Sequence, residues 1–297
     1  MRDLFMHRNS IGSRMFIPLV AVLAVASARP PADSPFPDKN LEMAVRALIF
    51  EKRDPSKELT DEDLRKVFVL EAKGKGIKNL AGLEKCTNLQ LINMAKNEVS
   101  DLAPIKGLTN LQSLDVSHNA ISDIAALEGL TGLQYLEISD NQIKSVEPLR
   151  KLTKLSALYS AGNKISDITP LADLTRLSSL DLAKNEVTDI AAVAKLGGLM
   201  TLKLSDNKIE DISPIPKKNQ LKMLFIERNK ISDLSSLVAS AKEDAAGEKR
   251  FAPFLRLYMA GNPLSDAAKS QQVDALKQAG VRIENVEAKP ATTSQAK

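Results

Sequence analysis

Between Leu89 and Leu237 the apolar residues keep one fixed phase. An asparagine interrupts them every 22 residues, at Asn97, Asn119, Asn141, Asn163, Asn185, Asn207 and Asn229. Ahead of each asparagine stands one frame, as in Leu111, Leu114, Val116 or Leu177, Leu180, Leu182; behind it come Ile121, Ile124, Leu127 and Leu130 or their equivalents. In Leu133, Leu136, Ile138 the last two core residues are two apart, which places them on one face of a short strand and turns Tyr135, Glu137 and Ser139 to the other. A strand this short cannot hold itself, so it must stack on its equivalents one period before and after, giving a parallel sheet with a column of leucines beneath it. One long helix and a doubly wound sheet are both excluded, because a turn-forming residue breaks the pattern at the same phase seven times.

The polar positions of the period have structural work to do. The asparagine falls where the chain leaves the strand, and its amide can bond backbone groups that the turn would strand inside the coil; each buried group left unpaired costs about 1 to 3 kcal/mol. Asn97, Asn119, Asn141, Asn163, Asn185, Asn207, Asn229 and, at the far end, Asn262 form the expected ladder. Four residues on, Asp101, Asp123, Asp167, Asp189, Asp211 and Asp233 make a second column that only Ser145 interrupts. Each precedes a short apolar turn such as Ile168, Thr169, Pro170, Leu171, where a carboxylate caps backbone N–H groups. One carboxylate per coil does not gather the six to eight oxygens of a calcium site, so no metal is expected.

The ends depart from the frame. Residues 1–28 read as an export signal, with Arg2, Arg8 and Arg14, an apolar run from Phe16 to Val25, and the small residues Ala26, Ser27, Ala28 at its close. The run is shorter than the ~20 residues of a spanning helix, so cleavage after Ala28 is expected. Residues 29–37 form a proline-rich linker. A helical N-cap spans 38–66: Asp38 caps a helix with Leu41, Ala44, Val45 and Leu48 on one face, and Thr60 with Asp63 forms a variant capping box before Leu64 and Val67. The array runs over 67–264. Its first coil is degenerate, with Lys75 in the asparagine phase between Gly74 and Gly76, and residues 238–253 are an insertion read as a helix or loop on the outer side. A C-cap over 265–286 starts a helix at Ser265 or Asp266, directs Val273 and Leu276 inward, stops at Gly280, and leaves Val281 and Ile283 for a final strand. Residues 287–297 are expected to be a disordered tail.

The frame Leu155, Leu158, Asn163, Ile165, Asp167, Ile168, Pro170, Leu171, Leu174, Thr175 resembles the leucine-rich repeats, within them the 22-residue type of bacterial internalins and of a eukaryotic phosphatase-regulator subclass. The resemblance implies an α/β, right-handed leucine-rich-repeat solenoid, or horseshoe, with the parallel β-sheet on its concave face, short 3-10 or irregular turns on the convex face, and helical N- and C-terminal caps. The helical N-cap of internalins extends the resemblance to residues 38–66. A shared architecture does not name a partner.

Composition narrows the chemistry. The net charge of +4 falls to about +2 once three arginines and one aspartate leave with the signal, and no concentrated basic patch points to nucleic acid. Past residue 28, His118 is the sole histidine and Cys86 the sole cysteine, which excludes a His/Cys zinc site and most nucleophile–base pairs. Cys86 lies one period before the core position Leu108 and reads as a small buried apolar residue. Asp115 and Glu137 sit on neighbouring strands about 5 Å apart, and their like charges can raise one pKa; on an open face they lack the enclosure catalysis needs. No catalytic residue and no cofactor is expected.

What remains is the outward face of the strands. One column runs Val69, Leu91, Ser113, Tyr135, Ala157, Ser179, Thr201, Met223, Arg256, the other Glu71, Asn93, Asp115, Glu137, Tyr159, Asp181, Lys203, Phe225, Tyr258. All three tyrosines of the chain fall in these columns, which reads as anchoring for a partner rather than as strand preference alone. Tyr135, Glu137, Tyr159, Asp181, Lys203, Met223, Phe225, Arg256 and Tyr258 are the candidate partner-binding residues. The expected function is an exported, non-catalytic binding protein, secreted or periplasmic, that holds a protein, or a peptide or glycan, in adhesion or envelope contact. Two alternatives stay open: an envelope component that binds through its rims or the 238–253 insertion, and a phosphatase-type regulatory subunit if the protein is cytosolic.

Overall fold

The computed structural model describes residues 34–215 and 220–284. The chain divides into Met1–Pro30, which lies outside those residues, and Pro31–Lys297, to which all that follows belongs. The expected signal at 1–28, the start of the linker and the tail at 287–297 are therefore outside the described residues.

Ten three-residue strands form a single sheet, each hydrogen-bonded in parallel to the next in chain order: β1 Val69–Glu71, β2 Leu91–Asn93, β3 Ser113–Asp115, β4 Tyr135–Glu137, β5 Ala157–Tyr159, β6 Ser179–Asp181, β7 Thr201–Lys203, β8 Met223–Phe225, β9 Arg256–Tyr258 and β10 Arg282–Glu284. The middle residue of each pairs with the middle residue of the next, from Leu70 through Leu136 and Leu158 to Leu257 and Ile283. All except Ile283, at the end of the row, are at most 1 % exposed. Each such side chain contributes about 1.5 to 3 kcal/mol when fully withdrawn from water, but only because its neighbours supply the other walls. Short 3-10 turns such as Ala103–Ile105 and Thr169–Leu171 close the coils on the opposite side. This is a leucine-rich-repeat horseshoe with the sheet on the concave face.

The asparagines hold the coils together. Asn163 accepts from Ile143 N–H at 3.0 Å and donates through Nδ2 to the carbonyls of Ile138 and Ser160 at 3.0 and 3.2 Å. Asn97, Asn119, Asn141, Asn185, Asn207 and Asn229 repeat the pattern of one bond back to the preceding coil's carbonyl and one to their own. Asn262 closes the ladder on Ile226 and Met259. In the aspartate column, each carboxylate takes the N–H two residues ahead, as Asp101 does from Ala103 and Asp189 from Ala191, and the exceptional Ser145 does the same for Glu147 through its hydroxyl.

The residue just before each ladder asparagine has a left-handed backbone, whether it is Lys96, His118, Asp140, Gly162, Lys184, Asp206, Arg228 or Gly261. Only two of these eight are glycines, the residue the conformation favours.

Both ends are closed by helices. Helix α1, Lys39–Leu48, packs on β1, and Asp38 welds it to the array: one oxygen caps Asn40 and Leu41 N–H, the other takes Lys78 and Asn79 N–H. Burial opposes ionisation of that carboxyl, yet the four backbone donors hold it below the usual range. Inside the cap the buried Arg46 pairs with Glu42 and donates to the carbonyls of Lys52 and Lys57, pinning the loop before α2, Asp61–Arg65. The capping box at Thr60 and Asp63 is present in both directions.

The linker expected over 29–37 ends earlier than its prolines suggest. Phe36 is fully buried against Gly82, whose backbone, at φ +101°, leaves no room for a Cβ. At the other end, β8 and β9 are 33 residues apart instead of 22 because helix α3, Ser235–Ala246, replaces a turn; it starts three residues ahead of the expected insertion. Asp244 then gathers the N–H groups of Arg250, Phe251 and Ala252, returning Phe251 to the core. The closing helix begins under Ser265, which caps Ala268, and ends in α4, Val273–Gln278, before Gly280 and β10.

Candidate binding face

Because one residue per strand points inward, the two beside it must point outward, and the strict register lines them up in two columns. All nine candidate residues lie on this face. Tyr135 and Glu137 flank Leu136 on β4; Tyr159 stands beside Glu137 on β5; Asp181 and Lys203 are partners across β6 and β7; Met223 and Phe225 share β8, beside Arg256 and Tyr258 on β9.

Two aromatic groups result. Tyr135 and Tyr159 stand with ring centroids 5.6 Å apart at 46°, and Phe225 and Tyr258 stack at 4.2 Å and 8°. Lys203 Nζ lies 5.8 Å from the Phe225 centroid. Tyr135 remains 36 % exposed, the others half-buried. Offset or stacked aromatic pairs add about 0.5 to 1.5 kcal/mol beyond the area they cover, so each ring favours the position beside its neighbour.

The charged candidates are not equally free. Asp181 is 8 % exposed, its carboxylate bonded to Ala183 N–H and paired with Lys203 at 2.9 Å. Arg256 is paired with Glu284 of β10 at 3.0 Å, a contact the frame does not announce because β10 follows β9 by 26 residues. Glu137 differs: burial, aided by the neighbouring Asp115 and Asp181, pushes its carboxyl above the usual range despite the N–H of Ser139 at 2.9 Å. Burial and the charges of Glu137 and Asp115 push the Tyr135 phenol up to about 12. Asp115, absent from the nine candidates, belongs with them by position.

Clefts of about 300, 410 and 510 Å³ open at the turns around Asp123 and Arg150, at the C-terminal end beside Asn262, and around Asp189 and Lys230, none of them on the two columns. Cys86 is fully buried, and burial pushes its thiol up to about 12. Among the described residues no cluster of three His, Cys, Asp or Glu side chains could hold a metal ion, and no helix is long and apolar enough to cross a membrane.

Comparison with known proteins places this geometry. Residues 87–131, 109–151 and 131–172 each match the family of paired leucine-rich repeats. No curated protein sequence matches the chain. Among solved structures, internalin C2 from Listeria monocytogenes is 34 % identical, the match covering 69 % of this chain and 92 % of that one, with a TM-score of 0.64. The leucine-rich-repeat ectodomain of a plant membrane receptor kinase from Arabidopsis thaliana, solved in complex with Casparian strip integrity factor 2, is 22 % identical over 77 % of this chain and 28 % of its own, with a TM-score of 0.60. A leucine-rich-repeat protein of Leptospira interrogans is 19 % identical over 76 % of this chain and 75 % of its own, with a TM-score of 0.51. The last two share the fold.

Proposed function

The chain belongs to the internalin-like leucine-rich-repeat proteins, and from that premise we propose that it is an exported, non-catalytic binding protein that recognises a protein partner on its concave sheet. The observation that carries the reading is the fixed pair of aromatic groups, Tyr135 with Tyr159 and Phe225 with Tyr258, on the solvent side of strands whose other side is filled with leucine. Aromatic side chains on an open sheet are the anchors that dominate protein interfaces. A domain of this fold, the plant receptor-kinase ectodomain, is solved in complex with Casparian strip integrity factor 2, which supports the same reading. Tyr135, Glu137, Tyr159, Met223, Phe225 and Tyr258 are its contact residues; Asp181, Lys203 and Arg256 shape the face through their internal ion pairs.

Export rests on residues 1–28, and adhesion or envelope contact is the role in keeping with it. The experiment is a crosslinking capture from the source cell's envelope, comparing the native protein with the Tyr159→Ala, Phe225→Ala double variant. The specific adduct is expected to disappear in the variant while rim-directed crosslinks persist. An adduct of unchanged yield would remove the concave-face reading in favour of the rims. N-terminal sequencing of the mature protein is expected to start at Arg29; an intact Met1 would remove the export.

A further inference from the structure

Between β3 and β9 the two columns of the concave face carry five charged side chains: Asp115, Glu137, Asp181, Lys203 and Arg256. Asp181 is neutralised by Lys203 and Arg256 by Glu284. Among the described residues no lysine, arginine or histidine pairs with Asp115 or Glu137, which stand side by side in the β3–β4 register. They share the spot with Tyr159, next to Glu137 on β5, and with Tyr135, whose neighbours in its own column are the small Ser113 and Ala157. Two carboxylates and two tilted tyrosine rings thus occupy adjoining positions on β3, β4 and β5, with the short Ser113 and Ala157 on either side of Tyr135.

The C-terminal half of the face is the reverse. Phe225 and Tyr258 stack, Met223 adjoins them, and the two cations alongside are already paired, leaving an apolar platform without unbalanced charge. From β4 to β8 is four strand spacings, or about 19 Å.

We propose that the partner is a protein that presents an arginine or lysine side chain to Tyr135, Glu137, Tyr159 and Asp115 and, about 19 Å away, an apolar side chain to Met223, Phe225 and Tyr258. The inference rests on the concave-face reading above and adds the partner's chemistry. A cation lowers the cost of two adjacent carboxylates that are partly desolvated, and a guanidinium can lie on a tyrosine ring while its N–H groups bond the acids. Burial first, and then the neighbouring carboxylates, raise the Glu137 carboxyl and the Tyr135 phenol, so a cation placed there acts against both. A polyanion would be repelled at the same spot, and an uncharged sugar would leave it uncompensated.

The test uses the full chain and two short capped peptides, Gly-Arg-Gly and the same peptide with citrulline, which keeps the shape of arginine and loses its charge. By NMR the arginine peptide is expected to move the Glu137 carboxyl and Tyr135 ring signals and to lower the pH at which Glu137 titrates; the citrulline peptide is not. The Asp115→Asn, Glu137→Gln double variant, nearly isosteric and checked by its amide spectrum, is expected to weaken the arginine peptide about tenfold or more, the size of one lost charge-assisted bond. Equal shifts from both peptides, unchanged affinity in the double variant, or no shift at all would overturn the cation site.

A longer peptide with arginine and leucine about six extended residues apart is expected to bind more tightly than one with the two adjacent; equal affinity would overturn the spacing. If Tyr159→Ala, Phe225→Ala abolishes envelope capture and Asp115→Asn, Glu137→Gln does not, the cation site falls and the concave-face reading stands. If neither variant changes capture, both fall.

Discussion

Each ladder asparagine is chosen for having a donor and an acceptor on one short side chain. Asn163 is 8 % exposed, with its oxygen on Ile143 N–H and its nitrogen on the carbonyls of Ile138, Ser160 and Ala161. Aspartate has nearly the same shape but would turn an acceptor, and a charge, toward those carbonyls. Alanine leaves the backbone groups unpaired without adding repulsion. Asn163→Ala is therefore expected to cost about 2 to 3 kcal/mol and Asn163→Asp more at pH 7, as read from urea midpoints at constant m-value; the opposite order would mean that the carbonyls, not the amide, adjust. This role was legible in the sequence, because only a turn amide explains one residue type at one phase. Its neighbour in the chain was not. Lys96, His118, Asp140, Lys184, Asp206 and Arg228 all take up the left-handed backbone, yet as residues they look like ordinary solvated charges, and only Gly162 and Gly261 give a local hint. The same limit applies to the site: the sequence places Asp181 and Lys203 in one column but cannot show that they neutralise each other, since that depends on rotamers and burial.

Among the elements, the N-cap shows how a polar cluster replaces the missing coil. The capping box of α2 gives Asp63 two bonds from Thr60, at 2.9 and 2.6 Å, and Lys52 pairs with the same oxygen at 3.0 Å. Burial raises the carboxyl's pKa, but these three donors outweigh it and bring it from 3.8 to about 2. A folded-state value below the unfolded one means that the group's stabilisation is complete above about pH 4 and lost as pH falls toward 2. The side chain is only 13 % exposed, so the contribution is on the order of 2 kcal/mol. In Asp63→Asn the acid-dependent decline in stability between pH 4 and pH 2 is expected to be shallower than in the native chain, with lower stability at pH 7; parallel slopes would show that the cap draws nothing from this charge. The capping box itself could be read from Thr60 and Asp63, since its spacing is local. Asp38 could be read only as a helix cap, because its bonds to Lys78 and Asn79 cross 40 residues of chain. Phe36 was hidden for a similar reason: prolines on both sides suggest a linker, and what buries the ring is Gly82 of the first coil.

For the molecule as a whole, stability travels along the stack, since the sheet joins each strand only to those next to it in sequence. That made the architecture legible: a 22-residue period sets every register at once, and the two columns follow from it. The ends depended on contacts outside the period, as with the 33-residue step from β8 to β9 and the pairing of β10 with β9. The same linear order predicts how damage spreads. Leu158, in the middle strand β5, and Leu276, in the closing helix α4, are both 0 % exposed, and either truncated to alanine loses about 2 to 5 kcal/mol of packing. Leu158 has full coils on both sides, so its loss weakens the coupling between two halves that each retain one capped end. Leu276 has coils on one side only, and its loss frees β10 and then β9. Hydrogen exchange is expected to separate the two: Leu276→Ala speeds exchange over 256–284 and leaves β2 to β6 protected, whereas Leu158→Ala lowers protection on both sides of β5, falling away toward the caps. Since Phe225 and Tyr258 depend on β8 and β9 being in register, Leu276→Ala is also expected to loosen the apolar platform while Tyr135, Glu137 and Tyr159 keep theirs. Uniform loss of protection in both variants would show that the array unfolds as a single cooperative unit, in which no part of the binding face can be softened alone.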